Sequence, residues 1–113
     1  MIEVILTDRC TRCGLCADVC PTNVFDLAAD RTPTIARADD CQTCFMCELY
    51  CQADALFVAP HCDHAVTVSA EQARAHAGRF RRESGWDEWA GDPRYANEHW
   101  RMDRVFARAR EAG

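Results

Sequence analysis

Two stretches, CTRCGLCADVCP at residues 10–21 and CQTCFMCELYCQ at residues 41–52, contain the strongest structural signal in this 113-residue chain. Each run has the spacing C-x2-C-x2-C-x3-C, and the second run begins 31 residues after the first. An aspartate, Asp8 or Asp39, stands two residues before each run. An internal repeat of this kind indicates two similar structural units, neither of which can bury its apolar face alone.

The cysteine spacing predicts two 4Fe-4S clusters. Three cysteines spaced by two can wrap a loop around one cubane, and in such runs the fourth cysteine ligates the other cluster. We expect that fourth cysteine at the start of a short helix. The predicted ligands are Cys10, Cys13, Cys16 and Cys51 for the first cluster, and Cys41, Cys44, Cys47 and Cys20 for the second. These bonds would join the two halves of a domain that has little core of its own.

Zinc and disulfides are the alternatives to clusters. A four-thiolate zinc site usually takes two C-x2-C pairs separated by a longer loop, whereas here four cysteines crowd together twice. Disulfides are typical of exported proteins. Residues 1–8 contain no basic region followed by an apolar stretch, and no window is long and apolar enough for a membrane span. We therefore expect a cytoplasmic protein with reduced thiols.

The residues around the runs predict an α+β fold. The apolar segments 2–6 and 33–37 correspond across the repeat, as do 24–27 and 55–58, and all four suit short strands. Residues 28–32 have the length of a hairpin connection. Residues 65–68 could add a strand beside 55–58, with residues 60–64 as the turn. A capping box at Ser69 and Gln72 predicts a helix to Ser84, and a second helix is expected from Glu98 to Arg110.

The residues between the cysteines differ in the two loops. Gly14 and Leu15 in the first loop correspond to Phe45 and Met46 in the second, which therefore has the bulkier apolar cover. Solvent exposure changes reduction potential, so we expect unequal potentials. Val19 and Tyr50 are expected in the core.

Over residues 2–59 the chain resembles the bacterial-type dicluster ferredoxins, through both cysteine runs, the Cys20-Pro21-Thr22 step and the paired aspartates. It departs from their pattern at Gln52, where they usually have proline. The resemblance implies a ferredoxin-like fold with pseudo-two-fold symmetry, here with a C-terminal helical extension, and one-electron transfer between the clusters. The architecture is also similar to the β subunit of adenylylsulfate reductase. That resemblance implies a partner flavoprotein oxidoreductase that carries FAD and is similar to adenylylsulfate reductase or fumarate reductase.

Residues 69–113, called the tail below, differ in character from the cluster domain, residues 1–68. The cluster domain has a net charge of −6 and the tail of +1, which disfavours nucleic-acid binding. The tail holds six of the ten aromatic residues, namely Phe80, Trp86, Trp89, Tyr95, Trp100 and Phe106. Trp, Tyr and Arg dominate binding hot spots, so the tail is predicted to dock on a partner. The alternative is a tail that folds back on the cluster domain.

The predicted function is an electron-transfer subunit of a flavoprotein oxidoreductase complex. The alternatives are a free ferredoxin that serves several enzymes, and an interaction module in which the clusters are structural. No nucleophile triad, carboxylate pair with an acid/base signature or phosphate-binding loop is present, so no catalysis is expected from the chain alone. A further metal at His61, Cys62, Asp63 and His64 is not expected, and Cys62 is interpreted as a buried apolar residue.

Overall fold

The computed structural model describes residues 1–95 and 102–112. Trp100 and the predicted start of the second tail helix at Glu98 lie outside these residues. Within them the elements, in chain order, are β1 (Ile2–Ile5), α1 (Leu15–Val19), β2 (Phe25–Leu27), β3 (Pro33–Ile35), α2 (Met46–Tyr50), β4 (Leu56–Val58), α3 (Ala70–His76), α4 (Arg79–Glu83) and α5 (Met102–Ala112). No helix in the described part of the chain is long and apolar enough to cross a membrane.

The four strands form two antiparallel pairs. β1 pairs with β4, with Ile2 opposite Val58, and β2 pairs with β3, with Phe25 opposite Ile35. The second pair is the predicted hairpin. The pairing of β1 with β4 joins the first and second halves of the repeat, because one strand comes from each half.

The main core lies between the two strand pairs. Ile2, Val24, Phe25, Leu56 and Val58 are each at most 4% exposed, and they form one apolar cluster. Five of the eight cysteines of the two runs take part in it or pack against it, namely Cys16, Cys20, Cys41, Cys47 and Cys51. The predicted core positions Val19 and Tyr50 are also buried, in a neighbouring cluster with Leu49. Apolar packing and the cysteine loops are therefore parts of one interior.

The backbone conformation repeats with the sequence. Residues in the left-handed region recur at the 31-residue spacing as three pairs, namely Arg12 and Thr43, Gly14 and Phe45, and Asn23 and Asp54. Only one of these six is glycine. Non-glycine residues held in this region are strained, and they persist only where the surrounding structure requires them. Both cysteine loops thus adopt the same costly conformation.

The prediction that the fourth cysteine of each run begins a helix is wrong. α1 and α2 lie between the third and fourth cysteines, so Cys20 and Cys51 are the residues that follow the helix ends, with extended backbones. Each helix instead begins after a left-handed residue, Gly14 or Phe45. The left-handed residue redirects the chain from the loop into the helix, so the helix starts one residue before the third cysteine.

Two predictions in residues 65–84 are also wrong. The segment 65–68 forms no strand; instead the backbone N–H of Val66 donates to Glu3 Oε1 at 3.2 Å. The helix begins at the predicted capping box, with both bonds between Ser69 and Gln72 present, but it ends at His76. Gly78 has a φ of 74° and separates α3 from α4.

Parts of the tail pack on the cluster domain. Ala73 and Ala77 are fully buried against Leu6, and the Trp86 ring lies 5.5 Å from that of Tyr50 in an edge-on contact. These contacts correspond to the folded-back alternative for residues 70–86. The division of the chain at Val68 into a cluster domain and a docking tail stays a prediction.

Candidate cluster-binding sites

The first cysteine set, Cys10, Cys13, Cys16 and Cys51, surrounds a cavity of about 300 Å³. The first three cysteines come from the loop after β1 and from α1, whereas Cys51 comes from the end of α2. Apolar residues complete the lining, among them Ile5, Leu15 and Leu56. The cavity therefore receives three thiols from one half of the repeat and one thiol from the other.

The second cysteine set, Cys20, Cys41, Cys44 and Cys47, lines a separate cavity with Ile2, Val24 and Phe45. Its free volume is much smaller, about 20 Å³, because the Phe45 ring and the core residues close over it. The chain again supplies three thiols from one run and one from the other. Here the donor set, more than the free volume, indicates a binding site.

Backbone N–H groups point at the cysteine sulfurs in both halves. Arg12 N donates to Cys10 Sγ at 3.3 Å, and Thr43 N, 31 residues later, donates to Cys41 Sγ at 3.4 Å. A second matched pair of bonds runs from Val24 N to Cys20 Sγ and from Ala55 N to Cys51 Sγ, both at 3.4 Å. Such bonds stabilise thiolates and tune the potential of a bound cluster.

Burial changes the acidity of the inner cysteines. Burial, and then the neighbouring thiols, raise the pKa of Cys16 to about 12. The same two causes raise the pKa of Cys47 well above its ordinary value, and burial raises that of Cys51. Such thiols ionise only where a cation compensates the buried negative charge. The donor chemistry therefore fits a cationic iron-sulfur centre at each set.

A further polar group in the second loop also fits a bound centre. Thr43 Oγ1 is buried and has no hydrogen-bond partner among the described residues. It stands next to Cys44, and a hydroxyl donor at this position suits the sulfur atoms of a cluster.

Arg31 covers the first loop, which the sequence interpretation missed. Its guanidinium donates from Nη2 to the carbonyl of Cys13 at 2.9 Å and from Nε to the carbonyl of Arg12 at 3.3 Å. A Cβ on Gly14 would lie 2.0 Å from Nη2, and the φ of Gly14 is 77°. Glycine adopts this left-handed conformation without strain, and a side chain at this position would displace the end of Arg31. The only sign of this contact in the sequence was an arginine, Arg31, in the hairpin connection of residues 28–32.

The second loop is covered by an aromatic pair and by a buried acid. The Phe45 and Phe80 rings lie 4.5 Å apart, so the bulkier cover predicted for this loop includes a residue from the tail. Glu48 in α2 is 2% exposed, and its carboxylate accepts bonds from Phe80 N at 2.8 Å and Val58 N at 3.2 Å. Burial raises the pKa of Glu48. The only sequence signal for Glu48 was an acid within an apolar stretch.

Ion pairs add a second connection to the tail. Asp54 receives Arg81 Nη2 at 2.8 Å and Arg82 Nη1 at 2.9 Å. Burial alone would raise the pKa of Asp54, but the two arginine hydrogen bonds hold it below its ordinary value. Asp8 pairs with Arg74 at 2.9 Å, although both side chains are about half exposed. The start of the tail is thus held by charges that lie beside the cysteine loops.

The segment 61–64 lies apart from both cysteine sets. Cys62 is exposed, which corrects its interpretation as a buried apolar residue. The side chains of His64 and Asp63 hydrogen bond at 2.6 Å, and the rings of His61 and His64 are 5.1 Å apart. Within residues 1–95 and 102–112, no three His, Cys, Asp or Glu side chains are gathered tightly enough to hold a single metal ion.

Known proteins share these sequence features. Residues 3–26 match the Fer4 family, described as the 4Fe-4S binding domain. A ferredoxin from Methanothermococcus thermolithotrophicus is 36% identical over 53 residues, which cover 45% of this chain and 87% of that protein. An uncharacterized ferredoxin from Methanocaldococcus jannaschii is 40% identical over 48 residues, 42% of this chain and 76% of that protein. No solved structure matches the chain.

Proposed function

Since the chain belongs to the ferredoxin family and is an iron-sulfur electron carrier, we propose that it carries two 4Fe-4S clusters and relays electrons to or from a flavoprotein oxidoreductase. The chain's own residues bind the clusters, limit water access and donate hydrogen bonds to the sulfurs. The clusters supply the one-electron chemistry. FAD is expected on the partner, and the complex is expected in the cytoplasm, where thiols stay reduced.

One observation carries the proposal of two clusters. Each cavity is bordered by three cysteines of one run and the fourth cysteine of the other, so the chain provides two complete sets of four thiols. The repeated left-handed residues and the matched N–H to sulfur bonds support the same ligand function for both sets. They also support the pseudo-two-fold relationship of the halves as part of the proposal.

The crossed ligand sets can be tested with two quadruple variants that each remove four cysteines. One replaces the first cysteine set by alanine. The other replaces the first run, namely Cys10, Cys13, Cys16 and Cys20. The first variant leaves the second set complete and is expected to keep about four irons per chain. The second variant leaves one thiol, that of Cys51, at the first cavity and three thiols at the second, so neither set is complete. Iron and sulfide are measured after anaerobic reconstitution.

The unsubstituted chain should hold about eight irons and eight sulfides, because a 4Fe-4S cluster contains four of each. Cys62→Ser, outside both sets, is the control and should leave both contents unchanged. Equal iron in the two quadruple variants would contradict the crossed assignment. Zinc in place of iron in the unsubstituted chain would refute the whole proposal. Reversible reduction with dithionite, followed by electron paramagnetic resonance, tests whether both clusters accept electrons.

Exposed apolar residues support docking by the tail. The large apolar side chains that stand most exposed in the described part of the chain are Phe80, Trp89 and Val105, at 42%, 49% and 47%, and all three belong to the tail. An open groove of about 520 Å³, lined in part by Phe45, Phe57 and Phe80, adjoins the second loop. Exposed aromatic surface of this kind is typical of interaction sites.

The partner is tested by anaerobic purification of the native complex and measurement of flavin per chain. Trp89→Ala combined with Val105→Ser should weaken the complex by at least about tenfold if these residues are part of the interface. Glu88→Gln, an exposed neighbour of Trp89, is the matched control. Bound flavin that is insensitive to the double substitution would place the interface elsewhere.

A free ferredoxin that serves several enzymes is the second candidate. It is favoured by the packing of Ala73, Ala77 and Trp86 on the cluster domain, because a folded-back tail needs no partner to bury these residues. Purification of the chain without flavin, with both clusters present, would favour this candidate.

A further inference from the structure

We propose that Arg110, near the end of the tail, is a positioning residue for the second cluster: its guanidinium, held at the Cys20 ligand, raises that cluster's reduction potential and couples the tail helix to the redox state. The inference rests on the proposed function, because it requires a cluster at the second cysteine set. It assigns to α5 a function that the cysteine spacing does not predict.

The contacts of Arg110 converge on the segment that presents Cys20. Arg110 donates from Nη1 to the carbonyl of Asp18 at 2.9 Å and from Nη2 to the carbonyls of Ala17 at 2.8 Å and Cys20 at 3.3 Å. These carbonyls lie at the end of α1, where a helix leaves its last C=O groups without backbone partners. One side chain thus satisfies three acceptors that are about 90 residues distant in sequence, and one of them belongs to the ligand residue itself.

Among the residues that the structure describes, no acid forms an ion pair with Arg110. Its acceptors are carbonyl oxygens, and no carboxylate in the described residues lies within ion-pair distance of it. Arg37 also carries a charge that interacts with Cys20, but Arg37 is paired with Asp26 at 2.6 Å. Within the described part of the chain, the positive charge of Arg110 is therefore offset by no ion pair, whereas the charge of Arg37 is offset by Asp26.

The positive charge of Arg110 affects the reduction of the second cluster. One electron enters the cluster from the donor, no bond is formed or broken, and the cluster becomes more negative by one unit. A nearby cation stabilises the reduced form more than the oxidised form, so the potential rises. Linkage makes this coupling reciprocal: reduction must strengthen the docking of α5 by the same factor by which docking favours reduction. The tail helix is then held more firmly in the reduced protein.

The test compares three variants in the full-length protein loaded with both clusters. Arg110→Gln removes the charge but keeps a hydrogen-bond donor, Arg110→Lys keeps the charge, and Arg108→Ala removes a charge from the same helix. Arg108 makes no hydrogen bond or ion pair with any residue that the structure describes, so it serves as the matched control. The two clusters are titrated separately by the paramagnetically shifted signals of the cysteine β-protons, assigned through contacts to residues that line one cavity.

We expect Arg110→Gln to lower the ratio of reduced to oxidised second cluster, at a fixed potential, about two- to tenfold. For a one-electron couple this is a fall of about 18 to 59 mV. The first cluster should move less, Arg110→Lys should keep most of the potential, and the effect should shrink as salt is added. Hydrogen exchange of α5 should slow on reduction in the unsubstituted protein but not in Arg110→Gln.

Two results would overturn the inference while leaving the proposed function intact. One is a protein with about eight irons in which Arg110→Gln leaves both potentials unchanged, or shifts the potential of the second cluster no more than Arg108→Ala does. The other is an equal shift in Arg110→Lys and Arg110→Gln, which would assign the effect to contact geometry and not to charge. Absence of the second cluster from the unsubstituted protein would instead be a failure of the proposed function, and iron analysis identifies it.

Discussion

Replacing Glu48 by glutamine removes one of two buried acceptor oxygens, of which one binds the cluster domain and the other binds the tail. The carboxylate accepts from Val58 N in β4 and from Phe80 N in α4, at 3.2 and 2.8 Å, and the side chain is 2% exposed. A glutamine in the same place has one carbonyl oxygen, and its NH₂ group faces the other donor. One backbone N–H therefore loses its partner in a place that water does not reach.

The magnitude follows from that lost bond. A buried donor left without a partner costs about 1–3 kcal/mol. This cost is a large part of the roughly 5–15 kcal/mol by which a domain is stable. A loss of about 1–3 kcal/mol would raise the opened population of the affected region roughly 5- to 150-fold. The effect should be largest at α4, because the shorter of the two bonds holds Phe80 beside Phe45.

The assay is anaerobic trypsin digestion of the loaded protein, in which cleavage after Arg79, Arg81 and Arg82 reports opening of α4. Denaturant unfolding, followed by the visible absorption of the clusters, gives the global free energy. Glu83→Gln is the matched control: it is the same chemical change, but Glu83 is exposed and pairs with Arg79 at 2.9 Å at the surface. Such a pair contributes below about 1 kcal/mol.

Equal cleavage rates and equal unfolding free energies in Glu48→Gln and Glu83→Gln would refute the reasoning. That result would mean that the carboxylate bonds contribute no more than a surface ion pair. Faster cleavage in Glu48→Gln with an unchanged global free energy would still agree with it, since α4 can open without the unfolding of the cluster domain.

Three further predictions concern the loops and the connection to the tail. Gly14→Ala should displace the end of the Arg31 side chain, because the added Cβ would lie 2.0 Å from Nη2, and iron at the first cysteine set should fall if the hydrogen bonds of Arg31 to the loop carbonyls hold that loop. Gly91→Ala, with a similar φ and nothing within 4 Å, should keep full iron content. Asp54→Asn should lower the unfolding free energy at pH 7, because the folded state holds the pKa of Asp54 below the ordinary aspartate value of 3.8. The difference between the two proteins should shrink as the pH falls below 3.8, where the carboxylate becomes protonated. Cys62→Ser should leave the visible spectrum and iron content unchanged, since Cys62 is exposed and lines neither cavity.

The hairpin and the capping box could be predicted because their causes are local. Five residues between two apolar segments allow a tight antiparallel connection, and β2 and β3 form it. Ser69 and Gln72 are three residues apart and bond to each other's backbone within one turn. No distant residue is needed for either feature.

The errors in residues 65–84 have distant causes. The helix is divided at Gly78, where a Cβ would lie 2.0 Å from Asp54 Oδ1 and where the backbone N–H donates to the carbonyl of Leu56 at 3.0 Å. Residues 65–68 alternate as a strand would, but Glu3 supplies the acceptor for Val66 N in place of a strand ladder. Local propensity cannot include these partners, because they are distant from residues 65–84 along the chain.

Iron-sulfur binding could be predicted from the amino-acid sequence, because the cysteine spacing is a local property of a loop and iron-thiolate geometry permits few alternatives. The groups that surround those loops became known only from the folded structure. Arg31 and Arg110 bind carbonyls of cysteines through hydrogen bonds between residues up to about 90 positions apart, whereas Glu48 and Phe80 connect the second loop to the tail. Such contacts depend on how helices and strands meet in space, and no spacing along the chain encodes them.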